Sequence, residues 1–440
     1  MIDNEKIELN SKLTLNKKKN FGEVFTPKDL IEEMLDKLPQ SVWIDEKLTW
    51  LDPAAGMGNF HECVFGRLMK GLENKIKNVS NRKRHILENM LFFVEFQNES
   101  AALIQEIYNP QGKYKLNVFI GDFTTFNQFD FNRNYFDIII GNPPYQVMHS
   151  TDVRKAKNHN LWSLFISKGF EFLSKKGFLL YITPPAWMSP SSDLLSSIFL
   201  SNQLHHVNIG ECSRWFNGIG SQFSYYLIEK TPIYKETNFE YYFKGGTFIN
   251  KGKGISKFKL NKKIKFIPQL PTAESFSILE KSVFSSLPKY KVEYDSDLHK
   301  FTKKDLISDT KDEVFRYKLL HTPTQIVWSK RPHKNEGKIK VFIPLTTYYE
   351  SILIDKCGNT QGMGYIISSD MRSANAIKKI LSSKFYRYIA NITRWSNFNV
   401  PMVMKLLPLY PADLPIEDKE IYKYFKLNKN EIQQIESMVR

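Results

Sequence analysis

Four runs of strand length, Leu91–Phe96, Asn117–Ile120, Phe136–Ile140 and Gly177–Thr183, are nearly unbroken in apolar residues rather than alternating. An alternating strand buries one face, whereas a continuous one needs cover on both, which is the situation of a parallel sheet between two layers of helix. A fifth candidate strand, Leu48–Leu51, precedes them, and Asn59–Lys75 and Leu161–Leu173 carry helical periodicity. The expectation is a doubly wound α/β fold over residues 21 to about 185. Phe223–Ile228 reads as one more strand, its direction left open.

A chain of 440 residues exceeds what one compact domain usually holds, so two domains are expected. Around residues 231–256 the texture turns to Lys, Gly and Asn, and a boundary is expected near 235–245. This divides the chain into a polar, flexible arm (1–20, with Lys17-Lys18-Lys19), a catalytic domain (21–240) and an α+β domain (245–440). The tail Asn428–Met438 reads as a short amphipathic helix, and no internal repeat or coiled-coil pattern is visible.

No apolar run near Met1 resembles a signal peptide, and none reaches the ~18 residues that span a bilayer, so a cytoplasmic protein without a membrane partner is expected. Cys63, Cys212 and Cys357 form no CxxC pair, which suggests neither a disulfide framework nor a zinc site. His61 lies near Cys63, but no second ligand pair follows it, so no metal is expected. The 62 Lys+Arg against 46 Asp+Glu leave a net charge of +16. That excess suits a polyanionic partner, although it would equally suit an anionic membrane or a general compositional bias.

The candidate chemistry sits where strands end. Phe136–Ile140 runs into Gly141-Asn142-Pro143-Pro144-Tyr145. Ligands of open α/β sheets bind just beyond the carboxyl ends of strands. Two successive prolines stiffen the loop and remove two amide donors. The side-chain carbonyl of Asn142 and the backbone carbonyl of Pro143 then offer two acceptors for one amino group, taking both its hydrogens and freeing its lone pair. Tyr145 offers a π-face for stacking and for a sulfonium cation.

The first strand ends in Asp52-Pro53-Ala54-Ala55-Gly56-Met57-Gly58. Its glycines permit a tight turn and a close ligand approach. The loop lacks the GxGxxG spacing of dinucleotide sites and the Lys-Ser/Thr of a phosphate loop, which disfavours NAD and ATP. Asp52 suits the cationic end of an amino acid, Glu95 could accept both hydroxyls of a ribose, and Asp122 could accept an adenine amino hydrogen while Phe123 stacks on that ring. Each acidic residue alone is an ordinary polar strand terminus; their order on successive strands is what argues for a site.

With these motifs in this order, residues 20–230 resemble the gamma class of N6-adenine DNA methyltransferases of type II restriction–modification systems. The resemblance implies a Rossmann-like S-adenosylmethionine-dependent methyltransferase domain followed by a target-recognition domain. It implies cofactor contacts from Asp52, Ala54, Ala55, Gly56, Glu95, Asp122, Phe123 and Asn142, and a catalytic Asn142, Pro143 and Tyr145. Gly22–Pro27 matches a further family segment in which Phe25 and Thr26 touch the methionine end of the cofactor; Thr26 could equally N-cap a helix starting at Pro27. The flipped base would stack on Tyr145 and on Phe216, with Trp215 as alternate. The separation of Asp52 from Glu95 departs from the pattern: 43 positions against the usual ~20, with the basic residues Lys75, Lys77, Arg82, Lys83 and Arg84 in the excess, read as a longer helix and loop.

The implied reaction is a direct in-line methyl transfer to an extruded adenine, without a metal or a covalent intermediate. The implied partners are double-stranded DNA and a cognate restriction endonuclease, with the enzyme acting as a monomer. Lys251–Lys265, Lys330–Lys334 and Arg394–Asn399 are the candidate DNA-reading segments of the second domain. Alternatives are methylation of RNA bases or of protein glutamine, since Asn-Pro-Pro-Tyr suits those amino groups too, and N4-cytosine methylation. A fused nuclease would need an Asp partner for Glu336-Gly337-Lys338, and a non-catalytic DNA-binding protein would not need Asn142–Tyr145.

Overall fold

The computed structural model describes residues 26–145, 161–216, 222–346, 349, 351–395 and 399–440. The chain divides into two compact units. The first runs to Pro185 and resumes over Ser196–Asn238; the second comprises Ala186–Leu195 and Phe239–Arg440. Ala186–Leu195 thus groups with the later part of the chain and not with the neighbours it has in sequence. There the Met188 carbonyl accepts from the amide of Ile267 at 3.0 Å.

The first unit is built on β1 (Trp50–Asp52), β2 (Leu91–Glu95), β3 (Asn117–Ile120), β4 (Phe136–Gly141), β5 (Leu173–Thr183), β6 (Gln203–Ile209) and β7 (Ser224–Glu229), in the order β3-β2-β1-β4-β5-β7-β6. Strands β1 to β5 pair in parallel. Strand β7 runs antiparallel to both β5 and β6. Every residue of β1 and β2 is buried, as their unbroken apolar sequences require. The expectation of two-sided burial fails for β3, which is half-exposed because it is the edge strand.

Helix α1 (Lys28–Leu35) buries Leu30, Ile31, Met34 and Leu35, one face at helical spacing. Helix α2 (Asn59–Gly71) buries Phe60, Val64 and Leu68 in the same core cluster as that face. The long connection from β1 to β2 is not one extended helix and loop. It contains α2, then α3 (Val79–His85), which Asn78 caps by accepting from the Asn81 amide at 2.9 Å. Of the basic residues expected there, Arg82 is buried and its guanidinium donates to the Ile76 carbonyl at 2.8 Å. Helices α4 (Asn98–Tyr108) and α5 (Leu161–Phe172) complete the βα alternation.

The second unit is α+β. It contains the greater part of β8 (Thr237–Phe243), all of β9 (Gly252–Phe258), and helix α6 (Ala273–Lys281). It also holds two small sheets, one of four strands and one of three. Near the C-terminus, helix α7 (Lys429–Met438) starts at Asn428, which forms a capping box with Glu431. Among the described residues no helix is long and apolar enough to cross a membrane.

Candidate active site

The strand order reverses between β1 and β4, the crevice where ligands of such sheets bind. Asp52 closes β1 and Gly141 closes β4, two strands in direct register through Leu51 and Ile139. Gly141 has φ +150°, and a Cβ there would stand 2.8 Å from Asp52 Oδ1. Only glycine lets the Asn142–Tyr145 loop leave the sheet this close to the carboxylate.

Asp52 is 1% exposed, and its Oδ1 accepts from the Ala54 amide at 3.1 Å. Burial pushes its carboxyl up to about 8; the Ala54 amide works against this, and the charge of Glu95 adds to it. His61, fully buried on α2, has Nε2 3.3 Å from the Trp50 carbonyl and Nδ1 4.0 Å from Asp52 Oδ2. Burial holds the imidazole down to about 4, so it is neutral beside Asp52. His61 therefore faces the strand end, while Cys63 is a buried free thiol. Among the described residues no group of three or more His, Cys, Asp or Glu side chains is arranged to hold a metal, and that includes Glu336.

The glycine loop is strapped to the end of β2. Glu95 Oε2 accepts from the Gly56 amide at 2.7 Å, and Oε1 accepts from the Gln97 amide at 2.9 Å. The Ala55 amide adds a bond to the Val94 carbonyl at 3.0 Å. Gly56 has φ +55°, and a Cβ there would meet nothing within 4 Å, so the loop presents open space on that side. The residues fit the amino-acid and ribose ends of S-adenosylmethionine: a carboxyl for a cation, a second carboxylate at the next strand end, and a bare backbone between them.

Asp122 is exposed, with Oδ1 accepting from the Thr124 amide at 2.7 Å. Phe123 departs from the expected stacking role. It is 2% exposed, packed 4.9 Å from Phe165 and within 6 Å of Phe126 and Phe172, with Lys168 Nζ 5.5 Å over its ring. The apolar side chains left in solvent at these strand ends are instead Phe96, 73% exposed, and Ile120, 52% exposed. Phe96 follows Glu95 directly and Ile120 pairs with it across the strands. Sequence reading passed over both as strand residues, although an aromatic placed after the last buried position of a strand was a signal.

Asn142 is clamped at both ends of its amide. Its Nδ2 donates to Thr26 Oγ1 at 3.1 Å, and its Oδ1 accepts from the Tyr145 hydroxyl at 2.8 Å. Thr26 is buried and does not cap α1: Pro27 stands at the N-cap with no side-chain cap bond. The hydroxyl that would have capped the helix is spent on Asn142. Burial pushes the Tyr145 phenol well above its usual range, so it remains a donor. Tyr145 packs 5.6 Å from Phe223, which lies 4.5 Å from Phe216, itself 5% exposed. The structure thus brings Thr26, Asn142, Tyr145 and Phe216 together, with Phe216 covered by Phe223. Phe25 and Asn217–Gly218 lie outside the described residues.

Two of the three basic segments of the second unit have residues held by their own fold: in Lys330–Lys334 only His333 is buried, while Arg331 and Lys334 are exposed but paired with acidic side chains. Arg331 makes a two-pronged bond to Asp297 at 2.7 and 2.8 Å, and His333 and Lys334 both reach Asp295 at 3.3 Å. Trp395 is buried, its indole donating to the Ile267 carbonyl at 2.9 Å, and buried Asn399 donates to the Pro344 carbonyl at 2.8 Å. Ser396–Phe398 lie outside the described residues. The third segment, Lys251–Lys265, keeps its lysines exposed.

Residues 34–213 match the family model described as Eco57I restriction-modification methylase. That stretch is a restriction–modification methylase domain. The chain is 24% identical to an uncharacterized adenine-specific methylase of Mycoplasma pneumoniae over 40% of its own length and 58% of that protein's. It is 26% identical to the Type II methyltransferase M.AccI of Acinetobacter calcoaceticus, over 44% of this chain and 34% of that one. The chain therefore spans little more than half of the first relative and a third of the second. Among solved structures, a nuclease-deletion mutant of the Type ISP restriction-modification enzyme LlaGI in complex with a DNA substrate mimic aligns with a TM-score of 0.58 at 13% identity, covering 91% of this chain and 54% of that one. The methylase domain and the second unit share that fold.

Proposed function

We propose that this chain is a site-specific DNA methyltransferase, transferring a methyl group from S-adenosylmethionine to N6 of an adenine flipped out of duplex DNA. The observation that carries this reading is the clamped Asn142 at the switch point of the sheet, one strand away from the buried carboxyl of Asp52. A carbonyl that accepts a phenol O–H accepts an amino N–H in the same way. Domain family, adenine-specific relatives and a fold partner solved with a DNA mimic support the substrate class.

When bound, the cofactor supplies an electrophilic methyl carbon on a sulfonium. Asp52 pairs with its ammonium, Glu95 with its ribose hydroxyls and Asp122 with its adenine amino group, while Ala54–Gly56 give it room beside bare backbone. Phe96 and Ile120 flank the adenine ring where Phe123 is turned away. Asn142 and Pro143 carbonyls would accept hydrogen bonds from the two N6 hydrogens, turning the lone pair out of conjugation. As an N–C bond forms and the S–C bond breaks with its electron pair left on a neutral thioether, the same carbonyls would stabilise the positive charge on nitrogen until its surplus proton is lost to solvent. Extruding the base costs a few kcal/mol. Stacking on Tyr145 and Phe216 offsets this by roughly 1–3 kcal/mol per aromatic contact, once Phe216 is uncovered. Thr26 keeps the amide of Asn142 from rotating its nitrogen into the acceptor position. The enzyme would work in the cytoplasm as a monomer beside a cognate restriction endonuclease, with residues 245–440 reading the target.

The test is methyl transfer from labelled S-adenosylmethionine to unmethylated DNA by the full chain and by Asn142→Ala, followed by nucleoside analysis. N6-methyladenine from the wild type and a rate at least about 100-fold lower from the variant are expected. Label in RNA, in protein or in N4-methylcytosine, with none in N6-methyladenine, overturns the substrate assignment.

A further inference from the structure

Between Glu240 and Glu274 the chain has eight lysines and no Asp or Glu, a local charge equal to half of the net +16 of the whole protein. The fold gives this stretch a definite face. Strand β9 turns Gly252, Gly254, Ser256 and Phe258 inward. A Cβ at Gly254 would stand 2.8 Å from the Tyr241 hydroxyl, Ser256 donates to the Pro271 carbonyl, and Phe258 stacks on Phe276 of α6 at 4.1 Å and 12°. The opposite register, Lys251, Lys253, Ile255, Lys257 and Lys259, is exposed throughout. Ile255 in the middle of the row is 77% exposed, an apolar side chain left in water amid cations.

We infer that this face of β9 is a track for the phosphate backbone of DNA. The inference rests on the methyltransferase reading and gives it a binding surface. Alternate strand residues are about 6.6 Å apart, so the row from Lys251 to Lys259 runs for roughly 26 Å. A duplex strand carries one phosphate per ~3.4 Å of axis, so that span faces several phosphates in succession. Lysine is a flexible point charge with no acceptor and no planar fork, which suits phosphate and not base edges. The row contains no arginine, asparagine or glutamine, so it contributes affinity and register without sequence preference. Ile255 packs on sugar between the charged contacts. An anionic bilayer would also attract lysines, but interfacial binding draws on several large apolar side chains, and this face offers one. Lysines that served only to guard a sheet edge against self-pairing would have no use for an outward isoleucine.

The experiment uses the full chain with Lys251, Lys253, Lys257 and Lys259 all changed to Gln, and a second variant with all four changed to Arg. Binding to a random-sequence unmethylated duplex is measured from 50 to 200 mM salt, alongside cofactor binding and methyl transfer. The Gln variant should lose about 0.9 from the log–log salt slope per lysine, a total of about 3–4, and bind duplex at least about 100-fold more weakly at the lowest salt. Its cofactor affinity should be unchanged, and the Arg variant should keep the wild-type slope. A Gln variant that binds cofactor normally and keeps the wild-type slope overturns the inference, as does one whose only change is self-association. So does a loss of binding to phosphatidylserine vesicles without any change on DNA. If the wild type transfers methyl to DNA with a slope indifferent to these lysines, the track alone is wrong. If it neither binds nor methylates duplex DNA, the methyltransferase reading falls with it.

Discussion

Replacing Asp52 by Asn should stabilise the ligand-free protein while abolishing its hold on the cofactor, and the stabilisation should grow with pH. Asp52 is 1% exposed, and its carboxyl sits at about 8 against an ordinary 3.8. Because the folded value is raised, the folded state binds this proton more tightly than the unfolded chain does. The contribution to stability is complete below pH 4, declines as pH rises, and is gone above pH 8, where the fold must hold a buried carboxylate. A shift of about four pH units at 1.36 kcal/mol each puts the swing at roughly 5–6 kcal/mol. Three neighbours do not titrate across this window: burial keeps His61 neutral down to about 4, and the phenols of Tyr108 and Tyr181 are pushed well above their usual range. Glu95 accepts from two backbone amides in the wild type, and the substitution leaves both bonds in place. Asparagine keeps an oxygen for the Ala54 amide and does not ionise. Thermal melts at pH 5 and pH 8.5 should therefore show the advantage of the variant widening by about 10 °C or more, at roughly 2–4 °C per kcal/mol for a unit of this size. Added S-adenosylmethionine at 100 times its Kd should raise the wild type by about 2.7 kcal/mol and the variant not at all. An advantage equal at both pH values, or a variant that the cofactor still protects, would refute the reasoning.

Glu95→Gln puts an amide nitrogen against one of two backbone donors; it should cost about 1–3 kcal/mol in denaturant unfolding and at least tenfold in cofactor affinity by calorimetry. Phe96→Ala should leave stability within about 0.5 kcal/mol, because the ring is already in solvent, yet weaken the cofactor about tenfold. An unchanged Kd would remove Phe96 from the site. Gly141→Ala must place a methyl 2.8 Å from Asp52 Oδ1 at φ +150°, and should lose roughly 2 kcal/mol or more of stability together with cofactor binding; a silent substitution would mean that the loop can retreat from the carboxylate.

What could be read from the sequence was what is local in it. The strands Leu91–Glu95 and Phe136–Gly141 are visible because five or six neighbouring residues all report the same burial. Strand β6 escaped notice: its His205-His206 pair interrupts the apolar run, and the pairing that makes it a strand comes from β7, some twenty residues on. The Asn142–Tyr145 loop was legible for the same local reason, since three residues bring both partners of that hydrogen bond. Thr26 was not, because its partner lies 116 positions away and the competing local role, capping α1, is the one short-range logic favours. The ion pairs of the Lys330–Lys334 segment were out of sight for the same reason: Arg331 and His333 are answered by Asp297 and Asp295, more than thirty residues upstream. Lys251–Lys259 could be read as a charged strand face because its lysines recur at alternate positions in a stretch with no Asp or Glu of its own.

The same division runs through the chemistry of the site. That Asp52 ends a strand before a glycine turn is local, and it nominates the residue. Whether its carboxyl is charged depends on burial and on what the fold brings beside it: Gly141 from β4, Tyr181 from β5, His61 from α2 and the charge of Glu95 from β2, spread over 129 positions of chain. A sequence motif can therefore name the group that meets a cationic ligand, but only the assembled sheet makes that group reluctant to ionise without one. On this argument the cost of burying Asp52 is a property of the ligand-free fold, and a cation at that position relieves it. Cofactor affinity should then weaken as pH falls below 8, in step with the proton that Asp52 must release to bind.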